Sequence, residues 1–152
     1  MAGHVLRLSN CFGYPLTHEN DCWGLVLNEF IRDAFALGRI TIRGDFIGRR
    51  DFLPISELNN ILIKILGITG LIPDIINVST GTSRTLLDVA LQVSHVVTEM
   101  TGKSVEIVKE NISANGYSLN IENNSLQKMG IFPHKELTKE IRLMLEFLES
   151  HV

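Results

Sequence analysis

Four arginines crowd into twelve residues: Arg39, Arg43, Arg49 and Arg50. A guanidinium is a planar fork that grips phosphate or carboxylate with two bonds, whereas lysine acts as a point charge. The stretch reads as an anion site or as an exposed strand pair solubilised by cations. Elsewhere the reactive residue types do not assemble. Ser79-Thr80-Gly81-Thr82-Ser83 follows a strand and precedes a helix, but one glycine cannot make the cradle that Gly-x-Gly-x-x-Gly offers a pyrophosphate, so it reads as an ordinary connection. There is no Gly-x-Ser-x-Gly elbow and no His-Glu-x-x-His, and five scattered histidines include no pair at ligand spacing. His95 reads as a partly buried packing residue on an apolar helix. Tyr14 and Tyr117 are followed four residues on by His18 and Ile121, not by a lysine that could lower a phenol pKa. The residues alone support a small-anion-binding α/β domain with no complete active site and no metal site.

The elements that must position these residues alternate in type. His4–Ser9 reads as a strand. A helix is expected over Cys22–Leu37, because Trp23, Val26, Leu27, Phe30, Ile31 and Ala34 recur at helical spacing, and Gly38 ends it. Ile40–Arg43 and Asp51–Ile55 read as short strands around the turn Gly44-Asp45-Phe46-Ile47-Gly48. Ser56 is the expected N-cap of a helix burying Leu58, Ile61, Leu62, Ile65 and Leu66. Ile75–Ser79 is a β-branched strand, and Thr85 to Asp88 fits a capping box ahead of an apolar stripe ending near Gly102. A strand over Val105–Lys109, a short helix over Ser125–Met129 and a last helix over Lys135–Glu149 follow. This order predicts α/β architecture with at least partly parallel pairing.

Composition narrows the partners. The chain has 152 residues, 45% hydrophobic and 20% charged, with net charge −3, which fits one soluble domain and excludes a disordered chain. Neither half is basic, with 7 Lys+Arg against 8 Asp+Glu in residues 1–76 and 7 against 9 in residues 77–152, so nucleic acid is not an expected partner. The longest apolar stretch, Ile61 to Ile72, is broken by Lys64, Gly67, Thr69 and Gly70 and is too short to span a bilayer. No secretory leader begins at Met1, and two cysteines, Cys11 and Cys22, make neither a disulfide scaffold nor a zinc pattern. A cytoplasmic location is expected.

The order of segments carries a further signal. Arg7-Leu8-Ser9-Asn10-Cys11-Phe12-Gly13, a helix to Gly38, Ile40-Thr41-Ile42-Arg43-Gly44, Arg50-Asp51-Phe52, a helix, and Asn77-Val78-Ser79-Thr80-Gly81 before Leu86-Leu87-Asp88-Val89-Ala90 closely resemble the C-terminal half of the NAD-dependent epimerase/dehydratase family. This is the extended branch of the short-chain dehydrogenase/reductases, acting mostly on nucleotide sugars. The resemblance runs from about residue 4 to 149. It implies an α/β fold equal to the C-terminal portion of that Rossmann-type fold, without the N-terminal dinucleotide-binding βαβ units. Residues 1–152 then form a single fragment, made of residual Rossmann strands and helices plus the substrate-binding subdomain.

The resemblance also implies roles. The family's Gly-rich loop and catalytic Tyr-x-x-x-Lys lie upstream of the Arg-x-x-Asn strand, so no catalytic residue is expected here. NAD or NADP would belong to the full-length parent and not bind this chain alone. Asn10 matches the asparagine that hydrogen-bonds substrate near its diphosphate, and Ser9 would lie near the nicotinamide through its backbone. Arg50 matches the diphosphate-gripping arginine, while Asp51 and the Thr80-Gly81 turn read as structural. Arg49, beside Arg50, is a candidate to assist, although alternation along a strand would point it to the opposite face. Phe12-Gly13-Tyr14-Pro15 is one residue longer than the family's Tyr-Gly-Pro. Where many members carry a second diphosphate arginine, this chain reads Asn111-Ile112-Ser113-Ala114-Asn115-Gly116; either Arg43 substitutes for that charge or the substrate is a simpler sugar or phosphate. The alternative is a non-catalytic sugar-phosphate-binding, regulatory or dimerisation module. Strand His4–Ser9 would lack cover in either case, so a homo-oligomer is expected.

Overall fold

A computed structural model describes residues 3–17, 21–44, 47–110, 116 and 118–150. Their elements run β1 (Val5–Leu8), β2 (Asn10–Phe12), α1 (Val26–Leu37), β3 (Arg39–Arg43), β4 (Arg49–Pro54), α2 (Ile55–Leu66), β5 (Ile75–Val78), β6 (Ser83–Thr85), α3 (Leu86–Thr101), β7 (Glu106–Glu110), α4 (Asn124–Lys128) and α5 (Thr138–Glu149). The α/β alternation is the one the sequence predicts. Three ladders are parallel, β1 with β5, β2 with β4 and β3 with β7, and β6 joins β4 antiparallel.

Two cores form on either side of β4. Phe52 joins Phe12, Phe30, Ile31, Ile42 and Ile141 in a core packed by α1, α3 and α5. Its neighbour Leu53 joins Ile61, Ile76 and Val78 in a second core against α2. Adjacent strand residues point to opposite faces, so a strand covered on both sides is apolar at consecutive positions. Burial of a side chain such as Phe52, 1% exposed, is worth about 2–3 kcal/mol.

Several expectations are corrected. The segments expected around the 44–48 turn do not pair with each other: β3 pairs β7, and β4 pairs β2 and β6. An exposed β3–β4 strand pair is therefore not what the arginines decorate; Asp45 and Phe46 of that turn lie outside the described residues. Helix α1 begins at Val26 rather than Cys22, because Leu25 is extended at φ −76°, ψ 131°. Its stripe and its end hold, with Gly38 in the left-handed region at φ 63°. Ser56 is not an N-cap. Helix α2 starts at Ile55 after Pro54, and the Ser56 backbone N–H donates to Glu140 Oε2 of α5 at 3.3 Å. Ser79 to Ser83 is not a simple link to a helix, since β6 intervenes. His95 is exposed. The Thr85–Asp88 capping box is present as read.

Candidate functional site: the carboxyl ends of β1 and β5

In open parallel sheets ligands bind outside the carboxyl ends of the strands. Here β1 and β5 run parallel, and both end on polar residues: Ser9 and Asn10 after β1, Ser79 and Thr80 after β5. A buried carboxylate on β4 ties the two ends together. Asp51, 2% exposed, accepts the Ser9 hydroxyl at 2.7 Å and the Thr80 N–H at 3.0 Å on Oδ1. On Oδ2 it accepts the Thr80 hydroxyl at 2.7 Å and the Thr82 N–H at 3.0 Å. Four donors satisfy the group in a setting where an unpaired carboxylate would be costly. Ser9 also donates its backbone N–H to Val78 O at 2.9 Å.

Asn10 is exposed and anchored at one end only. Its Nδ2 donates to the Asp51 carbonyl at 2.8 Å, which orients the amide and leaves Oδ1 and the second N–H for a ligand. In the β2–β4 ladder Asn10 stands opposite Phe52. Alternation puts Arg50, two residues before Phe52, on the same face as Asn10. Asn10, but not Arg50, borders a cavity of about 340 Å³ together with Leu8, Ser9, Phe12, Leu25 and Phe52.

Arg50 is half-buried. Arg49 points the other way, as alternation requires, and its guanidinium donates to the Ser83 carbonyl at 2.6 Å and hydroxyl at 3.3 Å. Arg43 is not brought to this group. It stands on the β3–β7 ladder, donating to Glu29 at 2.6 Å with Glu110 at 3.9 Å, and the Glu29 hydrogen bond, then its charge, raise its pKa. Asn111–Asn115 and Tyr117 lie outside the described residues.

Two neighbours were not singled out by sequence reasoning. Asn28, fully buried, donates Nδ2 to Gly13 O at 3.0 Å and Cys22 O at 3.1 Å and accepts the Gly13 N–H at 3.3 Å. A polar residue between Leu27 and Phe30 on a buried stripe was the available signal. Cys11 is the other: burial first, then the Asp51 and Glu140 charges, push its thiol up to about 11. It stays protonated at neutral pH and is no nucleophile.

Among the described residues, no three His, Cys, Asp or Glu side chains converge on a metal position, and no helix is long and apolar enough to cross a membrane. The glycine turn after β5 is tied to Asp51 and leads into β6, not into a helix whose N-terminus could receive a pyrophosphate.

The sequence matches no family model and no curated protein. Solved structures do match. UDP-N-acetylglucosamine 4-epimerase from Methanobrevibacter ruminantium, in complex with UDP-N-acetylmuramic acid, aligns with TM-score 0.75 at 20% identity, covering 97% of this chain and 46% of that one. The fold is that of the C-terminal half of NAD-dependent sugar-nucleotide epimerases and dehydratases. The NAD-dependent NDP-hexosamine 5,6-dehydratase TunA, of tunicamycin biosynthesis, aligns at TM-score 0.71 and 16% identity over 98% of this chain and 46% of its own. UDP-glucose 4-epimerase from Thermotoga maritima, with UDP-glucose, gives 0.71 and 19% over 97% and 46%. The chain thus spans slightly under half the length of these epimerases and dehydratases.

Proposed function

We propose that this chain is the substrate-binding part of an NAD-dependent nucleotide-sugar epimerase or dehydratase and is inactive by itself. The observation that carries the reading is the placement of Asn10 and Arg50 on one face of the β2–β4 ladder, with Asn10 bordering a cavity at the carboxyl end of β1. Asn10 offers an amide already oriented by Asp51. Arg50 offers a guanidinium that no described residue engages, suited to a diphosphate. Ser9, held by Asp51 and Val78, would present its backbone towards a nicotinamide supplied with the dinucleotide-binding half of the parent. NAD, when bound there, supplies transient hydride transfer at a sugar carbon. Arg43 does not enter this reading, since Glu29 and Glu110 occupy it.

Calorimetry tests it. UDP-glucose should bind the chain weakly, Arg50→Ala should weaken that binding at least about tenfold, and NAD should not bind. Tight NAD binding by the chain alone would sink the proposal, as would UDP-glucose binding indifferent to Arg50.

A second reading, a self-associating module, is favoured by the β1–β5 ladder. Val5, Leu8 and Ile75 are 56%, 44% and 46% exposed, an apolar surface of the kind that marks an interface.

A further inference from the structure

Opposite Arg50 in the β4–β6 ladder stands Arg84. Residues directly opposed across an antiparallel pair share a face, with Cβ atoms about 5 Å apart, and like charges so placed repel. Nothing in the sequence motifs singles Arg84 out, because its strand is only three residues long and 34 positions from Arg50. We propose that Arg84 supplies the second guanidinium of an anion clamp with Arg50, closing on a diphosphate across the β4–β6 pair.

Three features support the clamp. Arg84 is pre-positioned, since its Nη2 donates to the Lys135 carbonyl ahead of α5 at 2.6 Å. Its Nη1 is buried without a hydrogen-bond partner among the described residues, so the guanidinium keeps an unmet donor that a small shift of the side chain towards an anion would satisfy. The Arg50 guanidinium has no hydrogen bond or ion pair among the described residues to neutralise it.

The nearby carboxylates are already engaged. Asp88 is held in the Thr85 capping box, and Asp51 lies on the opposite face with its own four donors. Arg49, also on that opposite face, is committed to Ser83. Two planar forks on neighbouring strands match two linked tetrahedral groups, one phosphate to each, better than they match a single carboxylate.

The clamp rests on the reading of Arg50 given above and is tested separately from it. The full chain is titrated with inorganic pyrophosphate and, in parallel, with UDP-glucose, following binding and thermal midpoint at low salt. Pyrophosphate should bind and raise the midpoint. Arg84→Gln and Arg50→Gln should each weaken it at least about tenfold, and Arg84→Lys should recover only part, because an ammonium lacks the fork. Arg142→Gln, which breaks only the surface pair with Glu99, should change nothing. If Arg84→Gln fails to fold, Arg50→Gln and Arg84→Lys carry the same comparison. A folded Arg84 variant with parental pyrophosphate affinity overturns the clamp, as does a parent that does not bind pyrophosphate. Pyrophosphate binding that needs both arginines without UDP-glucose binding upholds the clamp and removes the nucleotide-sugar reading. UDP-glucose binding that needs Arg50 but not Arg84 does the reverse.

Discussion

Thr80 engages both oxygens of Asp51, its backbone N–H donating to Oδ1 at 3.0 Å and its hydroxyl to Oδ2 at 2.7 Å. The two residues belong to different ladders, β4 on one side and the end of β5 on the other. Among the described residues no strand pairing joins the β1–β5 ladder to β2–β4–β6; the Leu53–Ile76–Val78 core and this carboxylate do, the carboxylate at the end where Asn10 must be held. Asp51→Ala should therefore cost about 3 kcal/mol or more, since it strands two backbone N–H groups and two hydroxyls. Asp51→Asn should rescue little, because its amide N–H groups face donors. Urea unfolding measures both; a loss below about 1 kcal/mol for the alanine variant would show that the network does not join the ladders.

Gly13 sits where a Cβ would collide with Ile55 Cγ2 and come within 2.8 Å of Glu140 Oε1. Gly13→Ala should destabilise by about 1–3 kcal/mol through overpacking. Chemical denaturation reads the loss, and an unchanged midpoint would contradict the close approach.

The Thr85 cap on α3 gives a pH-dependent effect. Hydrogen bonds from the Thr85 backbone and side chain, followed by the Arg49 and Arg84 charges, lower the Asp88 pKa from its ordinary 3.8. A depressed carboxylate contributes its stability above the unfolded value and loses it as pH falls through the lower folded value. Thr85→Ala should cost about 1 kcal/mol at pH 7, and the Asp88-linked part of that difference should shrink below pH 3.8. Paired unfolding curves across that range check it.

Cys11 gives the opposite sign at the alkaline end. Its folded pKa of about 11 exceeds the ordinary 9.0, so the thiol favours the folded state below 9 and its ionisation favours the unfolded chain as pH rises between the two values. The stability lost between pH 9 and 11 should be smaller in Cys11→Ala than in the parent. Alkylation of Cys11 at pH 8 should be slow; fast modification would contradict its burial.

Light scattering tests the open β1–β5 surface. The chain should self-associate, and Val5→Lys with Leu8→Glu should shift it towards monomer. A parent that is already a monodisperse monomer counts against an interface there.

Local spacing made the helices legible. Leu27, Phe30, Ile31 and Ala34 mark the buried face of α1 at three-and-four intervals, and Thr85 with Asp88 marks the start of α3, because both signals lie within a few residues of chain. The same locality explains the failures at the ends. Leu25 and Pro54 hold extended backbone where periodicity alone continues α1 or hands the α2 cap to Ser56, and Glu140 reaches Ser56 from 84 positions away.

By itself the sequence determined the α/β alternation, the apolar faces and a half-fold resemblance centred on Asn10 and Arg50. Only the tertiary structure decided which arginines meet. Arg39, Arg43, Arg49 and Arg50 are neighbours along the chain, yet Arg43 leaves on β3 to Glu29 and Glu110, Arg49 turns to Ser83, and Arg50 faces Arg84 instead. Strand pairing is a long-range choice, set by which apolar faces can be buried together. Charges carried on the strands go wherever that burial sends them.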